Sequence, residues 1–210
     1  MIGRKNYAWL VMLLFLYGCS AVQLPRSLTA DEAQTLNTGP LKNVVLGIEW
    51  SAHEVYLPDL YRLEELIPKL TNVKAFRQVG YLESLQHQPD LVLSSYSVRR
   101  ISTAFQDGFQ CFEPMLMVAS FGIIPSVCKS VDEVSFDLRA RERKEFINVK
   151  LIVETRSIQG WAALPVKTSG NWQGNTESTA YQEEYRDRLA KLLWLEIYRR
   201  QAEILKKLDE

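Results

Sequence analysis

Eight residues of unbroken alternation constrain this chain more than any other feature. Val134, Phe136, Leu138 and Ala140 interleave with Ser135, Asp137, Arg139 and Arg141. Successive side chains of a strand point to opposite faces, so such a run is a strand with one dry and one wet face. A second run follows, with Ile147, Val149, Leu151 and Val153 against Asn148, Lys150, Ile152 and Glu154. The charged residues 142–145 between them are a turn, and the pair reads as a β-hairpin. A hairpin with one apolar face needs something laid over that face, which already excludes an all-helical fold.

The rest of the chain supplies the cover. Val44-Val45-Leu46-Gly47-Ile48-Glu49-Trp50 is β-branched and nearly continuous in apolarity, as suits a central strand buried on both faces. Pro58 opens a helix in which Leu60, Leu63, Ile67 and Leu70 recur at spacings of three and four. Pro68 predicts that it stops early. Residues 73–79 and 91–98 read as two further strands. Near the C-terminus, Thr179 and Gln182 resemble a capping box. Beyond them Tyr185, Leu189, Leu192, Trp194, Ile197, Ile204 and Leu208 form an apolar stripe. One helix over residues 180–208 would extend about 43 Å. The expected fold is α+β: a mixed or antiparallel sheet of about five strands, covered by an amphipathic helix and a long C-terminal helix.

The first eighteen residues are different in kind. Arg4 and Lys5 precede an apolar run from Tyr7 to Leu16, and small Gly18 ends it, which is the architecture of a signal peptide. A membrane span needs roughly 20 apolar residues, and this run is shorter. Leu16-Tyr17-Gly18-Cys19 resembles a bacterial lipobox. That resemblance implies diacylglycerol on the sulfur of Cys19, removal of residues 1–18 and acylation of the new terminus. An uncleaved anchor and plain secretion are the alternatives. Ser20 stands where aspartate would favour inner-membrane retention, so the implied address is the periplasmic leaflet of the outer membrane. Pro25, Gly39 and Pro40 mark residues 19–42 as a lipidated tether, leaving 43–210 as a single periplasmic domain.

The oxidising compartment implied by that resemblance sets the expectation for the two remaining cysteines. Cys111 and Cys128 are expected to form a disulfide, with two buried thiols as the alternative. Phe121-Gly122-Ile123-Ile124-Pro125 and Trp161-Ala162-Ala163-Leu164-Pro165, together with the lipobox, resemble a broad group of uncharacterised Gram-negative envelope lipoproteins over residues 43–165. Only the role of Cys19 carries over from it.

Chemistry is harder to find. The chain has 25 basic and 25 acidic residues, so bulk attraction to nucleic acid is not indicated. Phosphate-loop, dinucleotide and nucleophile-elbow patterns are absent, and no cofactor is expected. His53 and His87 are the only histidines, with no carboxylate or thiol at ligand spacing. The candidate contact residues are apolar. Met115 and Phe121 lie in the most apolar stretch after the leader, and Tyr185, Trp194 and Tyr198 make the last helix aromatic. The expectation is a non-catalytic, lipid-anchored periplasmic binding or adaptor protein. Its partners are the bilayer, through its acyl chains, and an envelope protein or a second copy. An envelope-polymer hydrolase and a structural oligomer are the alternatives.

Overall fold

The computed structural model describes residues 20–38, 40–50, 57–102, 111–112, 126–141, 145–159, 163, 171–174 and 177–209. In chain order its elements are β1 (Ser20–Gln23), α1 (Ala30–Thr38), β2 (Val45–Ile48), α2 (Leu63–Asn72), β3 (Gln78–Tyr81), β4 (Leu91–Ser102), β5 (Cys111–Phe112), β6 (Ser126–Ala140), β7 (Phe146–Gln159), β8 (Trp172–Gln173), α3 (Thr179–Arg199) and α4 (Gln201–Asp209). A 3-10 turn, Asp59–Tyr61, precedes α2. The fold is α+β, a mixed sheet packed against helices that include the long C-terminal α3. The chain divides into two compact units.

The larger unit comprises Arg26–Arg99, Asp132–Val153 and Glu183–Glu210. Its strand order is β3-β2-β4-β6-β7. β2 lies parallel to both neighbours, with Leu46 opposite Val79 on one side and Leu91 on the other. All four of its residues are buried, as continuous apolarity predicts. The alternation of the hairpin is realised residue by residue. Asp132, Val134, Phe136, Leu138 and Ala140 of β6 turn inward, as do Ile147, Val149, Leu151 and Val153 of β7. Gly47 and Gly80 are cross-strand partners. A Cβ at Gly47 would run into Leu82 Cδ2 and come within 2.9 Å of Pro89 Cβ, so this glycine permits close packing over the sheet.

Three expectations are corrected here. Pro68 does not stop its helix, which continues to Asn72. The lost N–H orphans the carbonyl of Glu64, which lies on the exposed side, and burial of Leu63, Leu66 and Leu70 offsets the loss. The C-cap of the helix is Val73, and the next residue, Lys74, has a φ of 54°, the left-handed conformation that closes a helix C-terminus. Residues 73–77 are therefore cap and turn, and the strand expected at 73–79 is β3, shifted to Gln78–Tyr81 and containing Gly80. The C-terminal helix is also interrupted. Arg200 N–H bonds to the carbonyl three residues back, Ile197, and α4 starts afresh at Gln201.

The smaller unit comprises Met1–Pro25, Arg100–Val131 and Glu154–Gln182. Here β5 pairs with β6, β7 with β1, and β1 with β8. Residues expected to be tether are part of this pairing. Ser20 lies opposite Gln159 and Val22 opposite Ser157, while Gln23 lies opposite Trp172. Ala21 and Leu24 are buried, and Leu24 N–H donates to the carbonyl of Asn171. The start of α3 is capped one residue earlier than expected: Ser178 Oγ accepts from Tyr181 N–H at 3.2 Å and its carbonyl from Gln182 N–H.

Candidate functional site

Two polar arrangements stand out, both within the larger unit. The first is buried. Asp132, inward-facing on β6, is 5% exposed; it accepts at 2.9 Å from the hydroxyl of Tyr61 in the 3-10 turn. Since the Tyr61 proton is used there, the Tyr185 hydroxyl of α3, 2.6 Å away, donates to the Tyr61 oxygen. The two rings meet edge to face at 5.9 Å. Tyr96 of β4 donates to the Tyr61 carbonyl. Burial, and then the adjacent Tyr185 hydroxyl, push the Tyr61 phenol far above its ordinary value, so it remains a donor. All four side chains are closed to solvent. A cluster with no opening cannot receive a substrate; what it does is tie sheet, turn and α3 together.

Arg186, next along α3, extends these ties. It is 7% exposed and reaches Glu65 at 3.5 Å, Glu183 at 3.6 Å and the Asp59 carbonyl at 3.4 Å. Glu183 also pairs with Lys69 of α2, and chiefly that hydrogen bond holds the Glu183 carboxyl below its usual range.

The second arrangement is open. A groove of about 510 Å³ runs between the outer face of α3, the segment before and within α1, and the end of α2. Its α3 wall carries two ion pairs spaced four residues apart, Glu184–Arg188 at 2.7 Å and Asp187–Lys191 at 2.6 Å. Leu28, Ala33 and Val73 supply apolar lining, with Ser27 and Asn72 at its polar edge. A capping box fixes the α1 wall. Glu32 N–H donates to Thr29 Oγ1 at 3.3 Å and Thr29 N–H to the Glu32 carboxylate at 3.0 Å. Arg26 forks onto Glu32 at 2.8 and 3.1 Å, and Arg199 of α3 reaches it at 3.5 Å. The Arg26 hydrogen bond, helped by Thr29 N–H, lowers the Glu32 carboxyl to about 2. The groove is large enough for a ligand, but its charged lining suits a polar segment better than an apolar small molecule.

The sequence-derived candidates distribute unevenly. Tyr185 and Trp194 are 2% and 1% exposed, so they belong to the interior and do not form a contact surface. Trp194 packs edge-on against Phe76 with centroids 4.3 Å apart, and its indole N–H has no acceptor among the described residues. Tyr198 is half-buried. Met115 and Phe121 lie outside the described residues, as do residues 1–18, Cys19 and His53. His87 is exposed. Cys128 is disulfide-bonded, and the backbone of Cys111 stands directly opposite it in the β5–β6 pairing.

Sequence reasoning missed the groove because one of its walls was assigned to the tether. The signal was present in Thr29-Ala30-Asp31-Glu32, which has capping-box spacing. Among the described residues no group of three or more His, Cys, Asp or Glu could hold a metal. No helix among them is long and apolar enough to cross a membrane. No family model matches the chain, and a search of curated proteins finds no match.

Proposed function

We propose that this protein is a lipid-anchored, non-catalytic binding or adaptor protein of the bacterial envelope. Acyl chains on Cys19 hold it at the periplasmic leaflet of the outer membrane, and the α1–α2–α3 groove takes a polar segment of an envelope protein. The observation that carries this reading is the groove itself: an open cleft with two pre-set ion pairs over an apolar lining, on walls pinned by Glu32 and Arg199. Pre-formed, complementary charge selects a partner and fixes its register more than it adds raw affinity. Nucleic acid is not a partner in this reading. The contact surface is the charged outer side of α3, not its buried aromatics.

Photo-crosslinking in intact cells tests it. A crosslinker at Ala33 or Lys191 is expected to capture one and the same envelope protein, and a crosslinker at Asn148, exposed on β7, is not. Absence of any adduct at both groove positions, or the same adducts from Asn148, refutes the adaptor reading. An unmodified Cys19 in the mass spectrum of the mature protein refutes the anchor.

A further inference from the structure

β1 begins at Ser20, one residue after Cys19. Consecutive Cα atoms stand at most about 3.8 Å apart, the spacing across a trans peptide. No length of free chain therefore separates the proposed acylated residue from the sheet. Ser20 pairs with Gln159, the last residue of β7, and the pairing is antiparallel, so the start of β1 and the end of β7 share one end of the smaller unit's sheet. β6 and β7 are neighbours joined by only five residues. A parallel connection needs a dozen or more, so the two are antiparallel and the start of β6, at Ser126, lies at that same end. Phe112, opposite Val127, completes it.

We infer that this end of the sheet, marked by Ser20, Phe112, Val127 and Gln159, is a membrane-resting surface whose partner is the lipid headgroup layer. The inference rests on the proposed acylation of Cys19 and adds an orientation to it. A flexible leash of the length expected from sequence would let the anchored domain range over about 25 Å. Pairing of Ser20 instead holds the paired ends of β1 and β7 beside the anchor, with the start of β6 about 5 Å further across the sheet and β5 about as far again. From there β7 runs away from the lipid: Arg156, three residues back from Gln159 and exposed, stands about 10 Å further along the strand.

Acylated full-length protein in phosphatidylethanolamine–phosphatidylglycerol vesicles, doped with a lipid whose headgroup carries a short-range quencher, gives the test. With Cys19 acylated and Cys128 in a disulfide, a fluorophore is attached at Gln159→Cys or Arg156→Cys. Strong quenching is expected at Gln159 and clearly weaker quenching at Arg156. A flexible Gly/Ser insertion of about 20 residues between Cys19 and Ser20 should cut the Gln159 signal severalfold. An unchanged urea midpoint of the insertion variant verifies that β1 still pairs. If Gln159 is unquenched, or is quenched equally with and without the insertion, while the intact mass shows the acyl chains, the orientation is overturned and the anchor stands. A mass without acyl chains overturns both.

Discussion

Gly47 and Gly80 occupy the same rung of the β2–β3 ladder, yet substitution by alanine should separate them sharply. Neither has a positive φ, so a methyl group costs what its surroundings charge for space. At Gly47 the new Cβ overlaps Leu82 Cδ2, the far end of a flexible side chain that can swing aside. It also comes within 2.9 Å of Pro89 Cβ and 3.2 Å of Pro89 Cγ, in a ring that cannot rotate away. The strand or the Pro89 loop must move, and overpacking of this kind costs about 1–3 kcal/mol. At Gly80 the nearest atoms are Ser84 Oγ at 3.2 Å and Leu85 Cδ2 at 3.4 Å, both on side chains able to yield. The reduced freedom of the unfolded chain favours alanine by about 0.4–1 kcal/mol and offsets most of that crowding. With a urea m-value of about 1–3 kcal/mol/M, a 2 kcal/mol loss moves the midpoint down by about 1 M. Gly47→Ala should therefore show a displacement of that order, and Gly80→Ala one close to zero. A double-mutant cycle with Pro89→Gly should recover much of the Gly47→Ala loss, since it removes the rigid obstacle, whereas Leu82→Ala should recover little. Equal losses at the two glycines, or full recovery by Leu82→Ala, would refute the assignment of the strain to Pro89.

Lys74→Gly should stabilise the protein by about 1 kcal/mol, because a left-handed φ costs a side-chain-bearing residue about 1–2 kcal/mol and glycine nothing; calorimetry should show a higher melting temperature, and a lower one counts against the C-cap. Tyr61→Phe should cost about 1–3 kcal/mol by removing a buried hydroxyl that donates to Asp132 and accepts from Tyr185, and Tyr185→Phe less, since Tyr61 can still donate; chemical denaturation that reverses this order contradicts the direction of donation. Glu32 titrates near 2 in the fold against an ordinary 4.5, so its stabilisation is complete above pH 4.5 and is lost as the pH falls through about 2. Glu32→Gln should lower stability near neutral pH by on the order of 1 kcal/mol, discounted for the solvent around Arg26, and its curve should meet the parent's near pH 2; parallel curves would remove the hydrogen bonds of Glu32 to Arg26 and Thr29 as the cause.

The parts of the fold legible in the sequence are those whose pattern is local. The alternation in β6 and β7 survives because each inward residue needs only its own strand to declare its face. β2 is legible for the complementary reason, since a strand flanked on both sides has no wet face to show. What was not legible depended on distant partners. Nothing within Ser20–Gln23 announces pairing with residues 157–159, more than 130 positions away, and the proline and glycine nearby speak for a linker. The buried cluster is likewise invisible beforehand, because Tyr61 and Asp132 stand 71 residues apart and each alone reads as a surface residue.

The aromatic stripe of the last helix teaches the sharper lesson. Spacing of three and four identifies a dry face but does not say whether another element of the chain or another molecule dries it. The distinguishing mark lay in Leu192-Leu193-Trp194-Leu195. Four consecutive apolar residues advance by about 100° each and so encircle the helix, whereas a docking face occupies one side. All four are buried. Over the two turns before, Glu184, Asp187, Arg188 and Lys191 keep a polar side, and that is where α3 borders the groove. The same helix thus serves as core where apolarity surrounds it and as a surface where charge interrupts it. A contact site on α3 is accordingly to be sought among its paired charges, not among its largest aromatics.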